Sequence, residues 1–241
     1  MAAIYRTQTG PGSVFYRVGQ LNLDLSTGEY ADYSDDLADS LLLDNQTIYT
    51  TGGILPNSPA PSAEYIFSGG NRAFLVGLEE KDEIAYSKKQ LFGESVAFND
   101  FFRVRVSSGT YADKSPLNSG AYMDGKVILF RRQSIYFMQG DGPTETGIGE
   151  FSEPEIISSD AGCTEPRSVI NTPSGVMFKS AKGIYHLTRG LGVEYIGAPV
   201  EDYNSQNICA TILNDKFNEA RFYLTTGDCL VYNYLYSTWA V

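Results

Sequence analysis

The chain carries one histidine, His186, in the stretch "GIYHLTRG". A lone imidazole cannot build a zinc site without further ligands, and no serine–histidine–carboxylate arrangement is legible around it. It reads as a hydrogen-bonded strand residue. The three cysteines, Cys163, Cys209 and Cys229, show no CxxC pair and no close spacing. An odd count in a chain of 241 residues argues against a disulfide framework and for buried thiols packed as small hydrophobes. Carboxylates are plentiful, with Glu79, Glu80, Asp82, Glu83, Glu150, Glu153, Glu155, Glu201 and Asp202 in charged clusters. A glycosidase needs two carboxylates at a defined separation across a sugar. No motif singles out such a pair here.

The segment "SSDAGCTEP" places Ser158, Asp160, Gly162 and Thr164 at alternate positions. That spacing matches the Asp box of sialidase-like propellers up to the last position, where Glu165 replaces the usual Trp. In that motif the carboxylate and hydroxyl hold backbone groups of a turn, so the chemistry is structural. The expectation is a polar turn after "EPEIIS" in which the Asp160 carboxylate accepts backbone N–H groups. "GDGPTETGIG", residues 140–149, lacks the Lys-Ser/Thr ending of a phosphate loop and reads as a flexible loop between strands. "DDLADSLLLDN" lacks the ligand spacing of a calcium loop. No catalytic, cofactor-binding or metal-binding residue emerges, and the chain reads as a protein without enzymatic activity and without a cofactor.

The elements that position these residues are strands. Tyr (17), Phe (13) and Gly (24) suit pleated half-buried surfaces joined by tight turns. Four strand pairs recur: "NRAFLVG" with "DEIAYSK", "KVILFRR" with "SIYFMQG", "GVMFKSA" with "GIYHLTRG", and "ARFYLTT" with "DCLVYNY". Their first strands start about 45 to 55 residues apart, close to the ~40–50 residues of a four-stranded propeller blade. Runs such as "VILF" and "IYFM" are continuously apolar, as strands covered on both faces must be. The reading is all-β, with propeller-type blades of four antiparallel strands. A β-sandwich of irregular hairpins is the alternative, and the repeated spacing favours the propeller. The one helical candidate is "SDDLADSLLLDN", residues 34–45, a turn of helix or a loop that Ser34 would cap, with "TTGG" following at 50–53.

The N-terminal stretch has a different texture: a strand, a Gly-Pro-Gly turn at 10–12, a second strand and a Tyr-Asp ending. It looks like the closing strands of a fibronectin-type module. The domain reading is therefore residues 1–60 as an N-terminal β segment and 61–241 as blades. The C-terminal "LVYNYLYSTWAV" stops where a further strand would begin, which leaves an open edge and an aromatic surface around Trp239. This predicts a chain that is not a free monomer, with a second polypeptide completing the fold.

The formal net charge is -11, from 29 acidic and 18 basic side chains. Only Arg131–Arg132 and Lys88–Lys89 pair basic residues, so the cluster that neutralises phosphates in a DNA-reading protein is missing. An acidic wall suits a channel that DNA must not stick to. No apolar run reaches signal-peptide or membrane-span length, so the chain reads as soluble and made in a reducing cytoplasm.

Roughly residues 64–241 resemble propeller-containing tail proteins of tailed bacteriophages, variously called nozzle, tail tubular or head-closure proteins. The residues that carry the resemblance are "SIYFMQGDGP", "SSDAGC" with "EPRSV", "GVMFKSAKGIYHL" and "YIGAPVEDYN". The resemblance implies a virion structural protein in a ring-shaped oligomer, often a hexamer, around the DNA exit channel. It implies portal, adaptor and other tail proteins as neighbours, and a role in DNA ejection without sequence-specific binding. The chain is short for that family. A carbohydrate-binding or carbohydrate-cleaving propeller that engages the host surface is the competing function.

Overall fold

The computed structural model describes residues 2–9, 14–21, 33–45, 47, 54–90, 93, 95–107 and 113–241. The Gly-Pro-Gly turn at 10–12, the Tyr-Asp ending near 30–32 and "TTGG" at 50–53 lie outside those residues. The chain divides into two compact units, Met1–Asn57 with Pro143–Gly149, and Ser58–Gly142 with Glu150–Val241.

In the first unit, β1 (Ala2–Arg6) and β2 (Tyr16–Leu21) pair antiparallel, with an irregularity at Ile4/Tyr5. The helical candidate shrinks to one turn, α1 (Asp39–Leu42), preceded by Ala38 with no side-chain cap, so Ser34 does not cap it. Leu42 is fully buried. Asp39 instead anchors the turn, accepting from the Arg6 guanidinium and from the Thr9 N–H at 2.7 Å. The Arg6 hydrogen bond, chiefly, holds the Asp39 carboxyl down at about 2. The Leu55 N–H donates to Glu145 O at 2.9 Å, fastening part of residues 143–149.

The second unit is all-β: among its described residues are four four-stranded antiparallel sheets, each a propeller-type blade in simple sequential order. Sheet 1 is β3 (Tyr65–Gly69), β4 (Arg72–Val76), β5 (Glu83–Ser87) and β6 (Phe98–Arg105). Sheet 2 is β7 (Ser119–Met123), β8 (Lys126–Phe130), β9 (Ile135–Gln139) and β10 (Glu155–Ser158). Sheet 3 is β11 (Ile170–Thr172), β12 (Gly175–Ser180), β13 (Gly183–Thr188) and β14 (Val193–Tyr195). Sheet 4 is β15 (Ile208–Asn214), β16 (Glu219–Leu224), β17 (Cys229–Asn233) and β18 (Thr238–Ala240). The hairpins visible in the sequence are the central pairs of these sheets. Two-residue turns feed two of them: Gly70-Asn71 and Asp124-Gly125 take positive φ at both positions, the conformation that matches strand twist in a tight hairpin.

Consecutive sheets meet through their first strands, β3 with β7, β7 with β11, and β11 with β15. Gly120 permits the first of these approaches, because a Cβ there would lie 2.3 Å from the Phe67 ring. Sheet 3 is covered on both faces, so all six residues of β12 are buried. Val176 and Phe178 enter the core shared with sheet 2, where the Phe130 and Phe178 rings sit 4.9 Å apart. Met177 points the other way, into the core with Phe222, Leu230 and Tyr232 of sheet 4. Burying apolar surface on both faces is what makes such a strand read as an unbroken hydrophobic run.

The C-terminus corrects the sequence reading. Thr238–Ala240 is itself a strand and pairs with β17 as the fourth strand of sheet 4. Trp239 is no free aromatic surface: its ring packs on Phe222 and Tyr232, and its Nε1 donates to Ile196 O at 2.8 Å. The large exposed hydrophobic residues of that stretch are Leu235 and Tyr236, in the turn before β18, and Val241.

Candidate functional site

Among the described residues, the groups with unusual environments lie where one sheet is joined to the next. The segment from Ser158 to Ser168 is the clearest. The Ser158 hydroxyl accepts from the Ala161 N–H at 3.1 Å and more weakly from Asp160 N–H at 3.4 Å. The Asp160 carboxylate, in contrast to the sequence expectation, holds no backbone donor; it points to solvent and pairs with Lys182 Nζ at 3.0 Å. Gly162 then passes against the β8–β9 turn, so closely that a Cβ would meet Arg131 O at 2.4 Å and Ser134 N at 2.5 Å. Glu165, which stands where the motif has Trp, is the hub. Its carboxylate accepts from Lys179 Nζ at 2.7 Å and from the Ile208 N–H, which ties sheet 3 to the start of sheet 4. Its carbonyl accepts from the Ser168 hydroxyl at 2.6 Å, and that hydroxyl accepts from the Lys179 N–H at 2.7 Å.

Asp113 does what the sequence assigned to Asp160. One oxygen accepts from Ser115 N–H at 3.0 Å and from the Ser115 hydroxyl at 2.5 Å; the other accepts from Gln133 N–H at 2.8 Å and Ser134 Oγ at 2.9 Å. Burial alone would raise its carboxyl, but these hydrogen bonds outweigh it and hold the group below the usual carboxylate range. A depressed folded value contributes stability that is complete above about pH 4 and is lost as pH falls through the folded value. Asp113→Asn is expected to flatten that acid limb, read as urea midpoints at neutral pH and near pH 3; an unchanged limb would place the acid sensitivity elsewhere.

Four cations are buried: Arg72, Lys88, Arg131 and Lys179, and no carboxylate is among the buried residues described. Arg131 is completely inaccessible. It sits at the end of β8 and crosses to sheet 1, donating to Val106 O at 2.8 Å and to Ser115 O, and pairing with Asp82 at 2.9 Å. Its Nε has no hydrogen-bond partner, and the guanidinium lies 5.8 Å from the Tyr136 ring centroid. Arg72 crosses the other way, from sheet 1 to the loop after β9, donating to Asp141 O at 3.1 Å and within its own sheet to Ser87 O at 2.7 Å. Each of the two basic pairs seen in the sequence therefore has one member inside the fold.

The structure brings together one arrangement the sequence did not reveal. Ser174 Oγ lies 3.3 Å from His186 Nε2, and His186 Nδ1 lies 3.9 Å from Glu194. Thr172 donates its hydroxyl proton to Gly175 O at 2.9 Å and so accepts from Ser174 at 3.0 Å. In the Nε2–H tautomer His186 donates to Ser174 and has no lone pair facing the serine. Glu194 is largely exposed and beyond hydrogen-bond reach of Nδ1. Burial holds the imidazole below its ordinary value, against a weaker pull from Glu194. A fluorophosphonate probe is expected to leave Ser174 unmodified; stoichiometric labelling that disappears in His186→Gln would reverse this assignment.

The cysteines divide. Cys163 is fully buried, and desolvation pushes its thiol up to about 11. Cys209 is exposed and Cys229 half-buried, so the expectation of three buried thiols holds for one. The cleft beside the first strands is lined by Phe67, Ser68, Gly120, Ala121, Tyr122, Val169 and Asn171, with no acid or base pair on its walls. Among the described residues there is no cluster of three or more metal-ligating side chains, and no helix long and apolar enough to cross a membrane.

No family model matches the chain, and no curated protein matches it either. Among solved structures it is similar to the crystal structure of HIRA residues 644–1017, with a TM-score of 0.37 and 14% identity over 78% of this chain. The match spans 55% of that structure's chain.

Proposed function

We propose that the chain is a non-enzymatic structural component of a bacteriophage tail, one of several copies forming a ring around the DNA channel, beside portal, adaptor and other tail proteins. The resemblance carried by residues such as "SIYFMQGDGP" supplies the tail assignment. The observation that supports a channel role is the distribution of charge. Folding takes four of the 18 cationic side chains inside and no described carboxylate, in a chain already at -11. Two of those cations neutralise Asp82 and Glu165 within the fold. The cationic side chains left outside are outnumbered about two to one by the 29 acidic ones, and an acidic wall repels the polymer that moves past it. Ring and wall need rigidity, and stacked blades joined by buried charged contacts supply it.

Electron microscopy of purified particles tests the reading. The expected result is a ring on the tail axis into which the four sheets fit, together with specific antibody labelling of the tail. A particle that lacks the chain, or DNA retention at physiological salt comparable to that of a basic DNA-binding protein, would overturn it.

A further inference from the structure

The dipeptide Asp-Gly occurs twice, at Asp124–Gly125 and Asp141–Gly142. In it a side-chain carboxyl stands beside the least hindered main-chain nitrogen, since glycine has no Cβ to shield it. The fold holds the two copies in opposite ways. Asp124 and Gly125 form the two-residue turn between β7 and β8, at φ of 50° and 75°, and the paired strands on either side fix that backbone. The Asp124 carboxylate accepts from the Arg189 guanidinium, whose Nε donates to Pro173 O at 2.7 Å. Asp141 stands outside any strand, in the loop after β9, with Gly140 and Gly142 on either side. Its carboxylate is 86% exposed and pairs with Lys89 Nζ only at 3.6 Å, beyond hydrogen-bond length. Its main-chain oxygen is the atom that is held: the buried Arg72 guanidinium donates to it from Nε at 3.1 Å.

From this contrast we propose that Asp141–Gly142 is a site of spontaneous modification, the conversion of Asp141 to isoaspartate, and that Arg72 directs it. The Gly142 nitrogen attacks Cγ of the protonated Asp141 carboxyl. The N–Cγ bond forms, the Cγ–OH bond breaks, and the hydroxyl and the amide proton leave as water, closing a five-membered succinimide. Water then adds to one of the two ring carbonyl carbons. At Cγ it restores aspartate. At the main-chain carbonyl it breaks the bond from that carbon to the Gly142 nitrogen; the nitrogen takes a proton from the water, and the hydroxyl remains as part of a new carboxyl. The chain then runs through Cβ and Cγ, with its composition unchanged and nothing oxidised or reduced. Arg72 selects the second opening, because its N–H stabilises the charge that grows on the main-chain oxygen as water adds. Lys89 serves the other carbonyl from solvent and at greater distance, so it competes weakly. The product also matches its surroundings: the new carboxylate includes the oxygen that Arg72 already holds, which turns that contact into a hydrogen bond between opposite charges. Closing the ring requires the side-chain carboxyl to reach the nitrogen of the next residue, which sets the Cα–C and Cα–Cβ torsions together. At Asp124 the hairpin fixes one torsion and Arg189 the other.

The test ages the full chain at neutral pH in buffer and, in parallel, in guanidinium chloride. Isoaspartate is read by peptide mapping, as a chromatographic shift without a change in mass, and by methyl transfer from S-adenosylmethionine with an isoaspartyl methyltransferase. In buffer, position 141 is expected to exceed position 124 by about 10-fold or more, because ring closure at 124 must first distort the turn. In denaturant the two are expected to agree within about 2-fold, since the turn and the ion pair are gone. Asp141→Glu, whose ring would need six atoms, is expected to lose the signal at 141 and keep the unfolding midpoint, the carboxylate being exposed. Gly142 is left in place, because a Cβ there would lie 2.4 Å from the Phe151 ring. In heavy-oxygen water each ring opening leaves one heavy oxygen behind. The ratio of isoaspartate to relabelled aspartate at 141 is expected to be about 3-fold higher in the folded chain than in the unfolded one. Equal yields at 124 and 141 in buffer, or none at 141 while the unfolded chain reacts, would overturn the site. An equal ratio in the two states would overturn the role of Arg72.

Discussion

Arg131→Met is expected to lower stability by about 3 kcal/mol, the range for breaking a buried, hydrogen-bonded charge while leaving its acceptors behind. The side chain has no solvent exposure, so its volume matters as much as its charge. Methionine fills most of that volume, which confines the loss to the polar partners. Val106 O and Ser115 O then lose their donors, and Asp82 loses its ion pair. Asp82 is 44% exposed and rehydrates, so the two carbonyls carry most of the cost. For a chain of this length the shift in melting temperature is about 6–12 °C. Arg131→Lys is expected to fall between, since one ammonium keeps the charge but cannot span two carbonyls and a carboxylate as a guanidinium does. Urea and thermal unfolding read both variants. A loss below about 0.5 kcal/mol for Arg131→Met would show that the sheet 1–sheet 2 junction does not depend on it.

That residue also marks the limit of what the sequence reveals. Arg131 and Lys88 each stand in a basic pair, and a pair of adjacent basic residues reads as surface charge. Val106, Ser115 and Asp82, distant from it in sequence, are what meet Arg131 at the end of β8. The central hairpins were legible because "VILF", "IYFM" and "GVMF" are buried on both faces and cannot alternate. The flanking strands were not. β11, β14 and β18 have three residues each, and "SGAYM" of β7 reads as a turn because of Gly120. That glycine is a strand residue because the Phe67 ring occupies the space of a Cβ. The Ser174–His186–Glu194 row was equally hidden. His186 pairs with Glu194 only through the β13–β14 register, and with Ser174 only through the turn before β12. Asp113 follows directly on residues outside the described set, and no motif surrounds it.

The same principle, that a site is set by what crosses it, decides between two neighbours in "SSDAGCTEP". Gly162→Ala is expected to be among the most damaging single changes in the second unit, at about 3 kcal/mol, whereas Asp160→Ala is expected to leave the unfolding midpoint unchanged within error. The glycine has no positive φ to defend. Its constraint is crowding: the added methyl would lie 2.4 Å from Arg131 O, 2.5 Å from Ser134 N and 2.7 Å from Gln133 N. All three are backbone atoms of one turn, so none can rotate aside. Either the turn moves, and with it the Cys163 N–H to Arg131 O hydrogen bond of 2.8 Å, or residues 161–163 retreat from it. Overpacking of that kind costs about 1–3 kcal/mol in ordinary cores, and rigid backbone on the far side puts this case at the upper end. Asp160 has nothing comparable to lose: its carboxylate is 86% exposed, and its partner Lys182 is exposed as well. Equal destabilisation by the two substitutions, measured in parallel urea titrations, would mean that the Asp160 carboxylate does hold the turn; a harmless Gly162→Ala would mean that the turn yields where the packing says it cannot.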